Sequence, residues 1–133
     1  MMVKARSADE RRTILLVEDD PAVRRTLHLL LQAQGYLIRA YASGSALLAD
    51  DSTLDADGMV ADYMLPDMDG LDILKGLRTK GWTGAALLIT GFPSDQLDKE
   101  ARSCGFAEMV VKPLLGQSLA ASMERALAEA GAA

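Results

Sequence analysis

The chain has 133 residues, half of them hydrophobic and 25% charged, which suits one domain with a full core. Its net charge is −5; the first twelve residues carry +2 and leave −7 on the rest, without the clustered basic surface that a reader of nucleic-acid backbone needs. A single cysteine, Cys104, excludes an internal disulfide and a cysteine-based metal cluster; no apolar run is long enough to span a membrane and no signal peptide opens the chain, so a cytoplasmic address is expected.

Residues 1–12 read as a flexible tail. Thr13 to Val17 is a continuous apolar run, the pattern of a strand covered on both faces. It ends in Glu18-Asp19-Asp20, and Pro21 after Asp20 is the cap-then-proline signature of a helix start. Val23, Leu27, Leu30 and Leu31 recur at helical spacing until Gly35 closes the helix. Tyr36 to Tyr41 forms a second strand, Ser43-Gly44 opens a short helix to about Asp50, and Asp51 to Asp57 is a polar loop. Met59 to Asp62 is a third strand that opens into the Pro/Gly-punctuated loop Tyr63 to Gly70. Leu71, Ile73, Leu74 and Leu77 mark a third helix, ending near Lys80-Gly81. Ala85 to Thr90 is a fourth strand, Gly91-Phe92-Pro93 a loop, and Ser94 or Asp95 caps a mostly polar fourth helix anchored by Leu97, Ala101 and Cys104. Glu108 to Val111 is a fifth strand ending at Lys112-Pro113, and Leu119, Met123, Ala126 and Leu127 make the last helix amphipathic. Five alternations with short connections predict a parallel sheet with helices on both faces.

Four strand ends then carry polar groups: Glu18/Asp19/Asp20, Asp62, Thr90 and Lys112. A parallel sheet puts all of them on one edge, and strands one and three flank the crevice where chain order reverses. Clustered carboxylates repel one another, and a hard divalent cation relieves that repulsion. A metal, an ammonium and a hydroxyl around one aspartate are what an incoming phosphoryl group requires, with Asp62 as nucleophile.

The segments LLVEDDP, ADYMLPDMDGLDIL, LLITG and VVKP resemble the receiver domain of two-component response regulators, over about residues 13–130. The resemblance implies a flavodoxin-like doubly wound (βα)5 fold with strand order 2-1-3-4-5. It implies that Asp62 is the phosphoacceptor, that Glu18 and Asp19 are the acidic pair, and that the Met64 carbonyl completes the shell of a Mg2+ ion, for which Mn2+ can substitute. Thr90 matches the switch hydroxyl, Lys112 the site lysine, and the Lys112–Pro113 bond is expected to be cis. The donor would be a phosphohistidine on a sensor histidine kinase or a phosphotransfer protein. The face of helix four, strand five and helix five would bind a downstream protein or a second copy on phosphorylation.

Three positions depart from the family pattern. Met109 stands where an aromatic ring is usual on strand five, and methionine supplies bulk without a ring. The switch is therefore expected to rest on the loop Gly91 to Pro93 and on the lightly anchored fourth helix. Met64 and Phe92, two residues after Asp62 and Thr90, are apolar and cannot orient a hydrolytic water, so a long-lived aspartyl phosphate is expected. Gly91 leaves the site open to an incoming phosphoryl group.

Other candidates have plainer readings. Asp20 is a helix cap, and Asp67 and Asp69 are turn residues before Gly70. His28 is an exposed bystander on a face with Arg24, Arg25 and Gln32. Cys104 and Trp82 are packing residues. A haloacid-dehalogenase-like phosphatase would need an acid at Met64, and a dinucleotide binder a Gly-rich first turn. The expectation is a stand-alone regulatory receiver of residues 13–130 with a frayed end at 131–133. It would turn over no outside substrate and would not bind DNA directly. The alternatives are a phosphate carrier or sink in a phosphorelay, and the receiver half of a larger transcriptional regulator.

Overall fold

The computed structural model describes residues 11–114 and 116–132. The expected tail lies, for residues 1–10, outside the described residues, as does Ala133 of the expected frayed end. The elements follow in strict alternation: β1 (Thr13–Val17), α1 (Pro21–Ala33), β2 (Leu37–Tyr41), α2 (Gly44–Leu48), β3 (Gly58–Asp62), α3 (Gly70–Thr79), β4 (Ala85–Thr90), α4 (Asp95–Cys104), β5 (Glu108–Val111) and α5 (Gly116–Ala132). The expected Asp51–Asp57 loop contains a 3₁₀ turn over Asp51–Asp55, started by the Asp50 side chain accepting from Ser52 N–H.

All strands pair in parallel, in the order 2-1-3-4-5. This is the doubly wound order whose crevice lies between β1 and β3. The central strands β1, β3 and β4 are buried on both faces because alternate side chains enter two cores, whereas the edge strands β2 and β5 are only partly covered. Leu15 and Val17 face the core shared with Leu47, Ile73, Leu74 and Leu97, whereas Ile14 and Leu16 face the one shared with Leu27, Leu31 and Met123. So α2, α3 and α4 cover one face and α1 and α5 the other.

The helix starts follow capping chemistry. Asp20 accepts from Ala22 and Val23 N–H groups ahead of α1, Ser94 from Leu97 N–H ahead of α4, and Asp69 forms a reciprocal capping box with Asp72 at α3. Gly105 ends α4 at φ 111°, a left-handed conformation that favours glycine.

Trp82 is more than loop packing. It is buried in the α3/α4 core, its indole N–H donates to the Ala56 carbonyl at 2.9 Å, and the Arg78 guanidinium sits 5.0 Å from the ring centroid. Gly84 leaves room for the ring, which would stand 2.2 Å from a Cβ there. Cys104 is half-buried against the same core, as expected of a packing residue.

Candidate functional site

The register of the central strands assembles the site. Val17 lies beside Ala61, so the next residues, Glu18 and Asp62, are neighbours at the carboxyl edge. Thr90 pairs with Val111 on the other side, and Lys112 is one step beyond. Lys112 thus reaches Asp62 and Glu18, the latter 94 positions away in sequence, and Thr90 lies at the end of the strand between β3 and β5.

Lys112 joins the two halves. Its ammonium donates to Glu18 Oε1 at 3.0 Å and to Asp62 Oδ2 at 3.1 Å. Glu18 is 1% and Asp62 6% exposed, so both carboxylates need partners. The second oxygen of Glu18 accepts from Asp20 N–H at 3.2 Å. Partial burial pulls the Lys112 pKa down, but the hydrogen bonds and charges of Glu18 and Asp62 outweigh it and hold the value above the ordinary lysine range. Lys112 is therefore a fixed cation at neutral pH. The Lys112–Pro113 bond is cis, as expected.

Glu18, Asp19 and Asp62 bring one carboxylate oxygen each to within 4.8 Å of one another. Glu18 and Asp62 are buried and Asp19 is exposed. Three carboxylates against one ammonium leave a local charge of −2, which a divalent cation would balance. The donors are all oxygen, which fits Mg2+, Mn2+ or Ca2+ better than a soft metal. Asp20 is outside this cluster: its side chain is spent on the first turn of α1. The Glu18-Asp19 backbone is steadied by Arg24, whose guanidinium donates to the Glu18 carbonyl at 2.9 Å.

On the β4 side, Thr90 is 2% exposed and its hydroxyl oxygen accepts from Phe92 N–H at 3.1 Å. That bond uses an acceptor lone pair and leaves the hydroxyl proton for another oxygen. Gly91 is exposed, and nothing lies within 4 Å of where a Cβ would stand. Met64 and Phe92, two residues after Asp62 and Thr90, are 63% and 80% exposed. Met109 is partly buried and packs into the α3/α4 core.

Gly70 contributes through the atoms it lacks. A Cβ there would stand 2.7 Å from the Asp62 carbonyl oxygen and 2.7 Å from Leu88, so α3 can start this close to the central aspartate only with glycine. Asp67, read as a turn residue, accepts from the N–H groups of Gly44 at 3.2 Å and Ser45 at 2.8 Å and from the Ser45 hydroxyl at 2.7 Å. These bonds, led by that from the Ser45 hydroxyl, hold its carboxyl below the usual carboxylate range. No local sequence pattern signals this link, because it joins residues more than twenty positions apart. His28 lines a surface groove with Arg24, Arg25 and Gln32, half-buried and away from the acidic cluster.

A parallel doubly wound sheet of order 2-1-3-4-5, with an aspartate, an acidic pair, a hydroxyl and a lysine at its carboxyl edge, defines a flavodoxin-like α/β domain. The family model for the response regulator receiver domain matches residues 14–124, and the chain belongs to that family of two-component signalling domains. FixJ of Azorhizobium caulinodans, a transcriptional regulatory protein, is 31% identical over 112 residues, 84% of this chain and 53% of that protein. KdpE of Mycobacterium tuberculosis, also a transcriptional regulatory protein, is 33% identical over 101 residues, 75% of this chain and 44% of that one. The chain thus spans about half the length of these curated relatives. The structure of the Vibrio cholerae chemotaxis protein CheY4 superposes with a TM-score of 0.82 at 24% identity, covering 87% of this chain and 98% of that one, a likeness of fold. Among the described residues, no helix is long and apolar enough to cross a membrane.

Proposed function

We propose that the chain is a cytoplasmic phosphoacceptor switch that takes a phosphoryl group onto Asp62 from a histidine kinase or phosphotransfer protein and then changes its affinity for a protein partner. The observation that carries this reading is the Lys112 bridge, which ties the buried Asp62 and Glu18 together at the crevice of the sheet. Glu18, Asp19, Asp62 and the Met64 carbonyl would hold Mg2+, which when bound offsets the charge of the phosphoryl oxygens. A carboxylate oxygen of Asp62 attacks phosphorus, the P–N bond to the donor imidazole breaks, and its electron pair stays on the imidazole nitrogen. Lys112 turns from Asp62 to a phosphoryl oxygen, and the Thr90 hydroxyl donates to another. The chain completes this half-reaction on itself and acts on no outside substrate, apart from slow hydrolysis.

The groove lined by Ala22, Val23, Thr26, Lys112 and Pro113 has a volume of about 300 Å³ and shares Lys112 with the site, which suits a docked donor. On the far side, α4, β5 and α5 expose Val111 and offer a face for a downstream protein or a second copy. With Met109 in place of a ring, the Thr90 hydroxyl and the Gly91–Pro93 loop carry the change outward through α4. Met64 and Phe92, both apolar and exposed, give no group to orient water, so the phosphorylated state persists.

A stoichiometric phosphate adduct on intact mass after incubation with a phosphorylated histidine donor and Mg2+, absent in Asp62→Asn, is the expected result; an adduct that survives in Asp62→Asn overturns the assignment. Met64→Asn is expected to shorten the lifetime of that adduct several-fold, and unchanged or slower decay contradicts the water-exclusion argument. The transcriptional regulators among the relatives, about twice as long as their match, favour a second reading as the receiver half of a larger regulator. In that case DNA contact belongs to the other half, since this chain carries −5. Back-transfer of phosphate from Asp62 to a histidine protein would instead mark a relay carrier.

A further inference from the structure

We propose that Asp67 is a positioning residue of the phosphoacceptor site, clamping the β3–α3 loop onto the first turn of α2 so that the Met64 carbonyl is held ready for the metal. The inference rests on the proposed Mg2+ and phosphoryl chemistry at Asp62.

The loop between Asp62 and Gly70 is well tied at its base. Tyr63 N–H donates to the Ile89 carbonyl and Gly70 N–H to the Tyr63 carbonyl, both at 2.9 Å, and Met64 bridges Asp69. These bonds fix the two ends of the loop. Between those ends Leu65 and Met68 pack partly buried on the α3/α4 core, while the Met64 side chain is exposed. Asp67 adds a polar tie from this loop to α2. Ser43, the cap of α2, accepts from Ala46 N–H and leaves the first two N–H groups of the helix, those of Gly44 and Ser45, to Asp67. The Ser45 hydroxyl adds a third bond. One carboxylate thus completes the cap of a helix that stands elsewhere in the fold, as orphan helix-end donors require.

A second observation points the same way. Gly44 has no side chain where the loop presses on it: a Cβ would stand 2.6 Å from both Cγ and Sδ of Met68 and 2.9 Å from Ile73. The Met68 side chain therefore packs directly on the first turn of α2, next to the Asp67 bonds. Because Asp67 is exposed, these bonds add little to global stability, and their main effect is to hold the loop in one place. Groups that orient a metal ligand without touching the metal commonly change its affinity by about tenfold or more.

The test is a titration of the full chain with Mg2+ alone, followed by the amide shifts of residues 62–69, beside thermal unfolding without metal. Asp67→Ala is expected to weaken Mg2+ binding about tenfold while unfolding near the wild-type temperature. Asp67→Asn, which keeps an acceptor oxygen, should recover most of the affinity, and Ser45→Ala should show a smaller loss in the same direction. Leu97→Ala, which destabilises α4 without touching the loop, should leave Mg2+ affinity unchanged. Wild-type affinity in Asp67→Ala overturns the clamp, and so does an equal loss of affinity in Leu97→Ala. If the wild type takes up no Mg2+, or Asp62→Asn binds it equally well, the reading of the site itself fails instead.

Discussion

Helices α3 and α4 are ten residues each and cover the same sheet face, yet α3 buries Gly70, Leu71, Ile73, Leu74 and Leu77, whereas α4 buries only Leu97 and Ala101. The difference divides the site. Its β3–α3 side is built for fixity: Asp62 is tied to Lys112, Gly70 sits against the Asp62 carbonyl, and a capping box starts the helix behind it. Its β4–α4 side is held lightly, with an exposed Gly91, an exposed Phe92 and a helix resting on two buried side chains. A switch needs both, a rigid centre for chemistry and a nearby element cheap enough to move.

The largest expected contrast comes from truncating one leucine in each helix. Leu74→Ala, at a fully buried position, should cost about 3 kcal/mol in urea unfolding, and Leu97→Ala about half of that, since α4 can loosen without opening the core. Equal losses would erase the distinction between the helices. The two glycines at the site sharpen it further. Gly70→Ala should cost about 2 kcal/mol and slow phosphoryl uptake, because the added methyl meets backbone, whereas Gly91→Ala meets nothing and should stay within about 0.5 kcal/mol of wild type. A Gly91→Ala variant as damaged as Gly70→Ala would show that the β4 side is as tightly built as the β3 side. Hydrogen exchange gives a subtler contrast. Adding a phosphoryl analogue with Mg2+ should change exchange in residues 95–104 more than in residues 21–33 of α1; a change no greater in α4 would remove it as the moving part.

The smallest effect is expected away from both halves. Tyr41 donates its hydroxyl to Asp50 at 2.7 Å, and burial, then that bond and the Asp50 charge, push its pKa up to about 12. The folded protein therefore holds this proton more tightly than the unfolded chain. The linked stability is complete below pH 10 and is lost as pH rises from 10 towards about 12. Tyr41→Phe should lack that alkaline loss in denaturant titrations, and a variant with the same alkaline slope as wild type would show that other groups cause it.

The order of elements, the parallel sheet and the identity of the polar strand ends were legible in the sequence. Continuous apolar strands, capped amphipathic helices and short connections are local patterns, and each is set by residues close together in the chain. The Glu18, Asp62, Thr90 and Lys112 candidates were legible for the same reason, since each ends its own apolar run. What local pattern could not supply was the set of contacts made across the fold. Lys112 bridging Glu18 and Asp62, Trp82 turning back to the Ala56 carbonyl, and Asp67 capping α2 all join residues that are distant in sequence. Strand register and helix packing decide such contacts, because only the folded sheet brings those atoms within hydrogen-bonding distance.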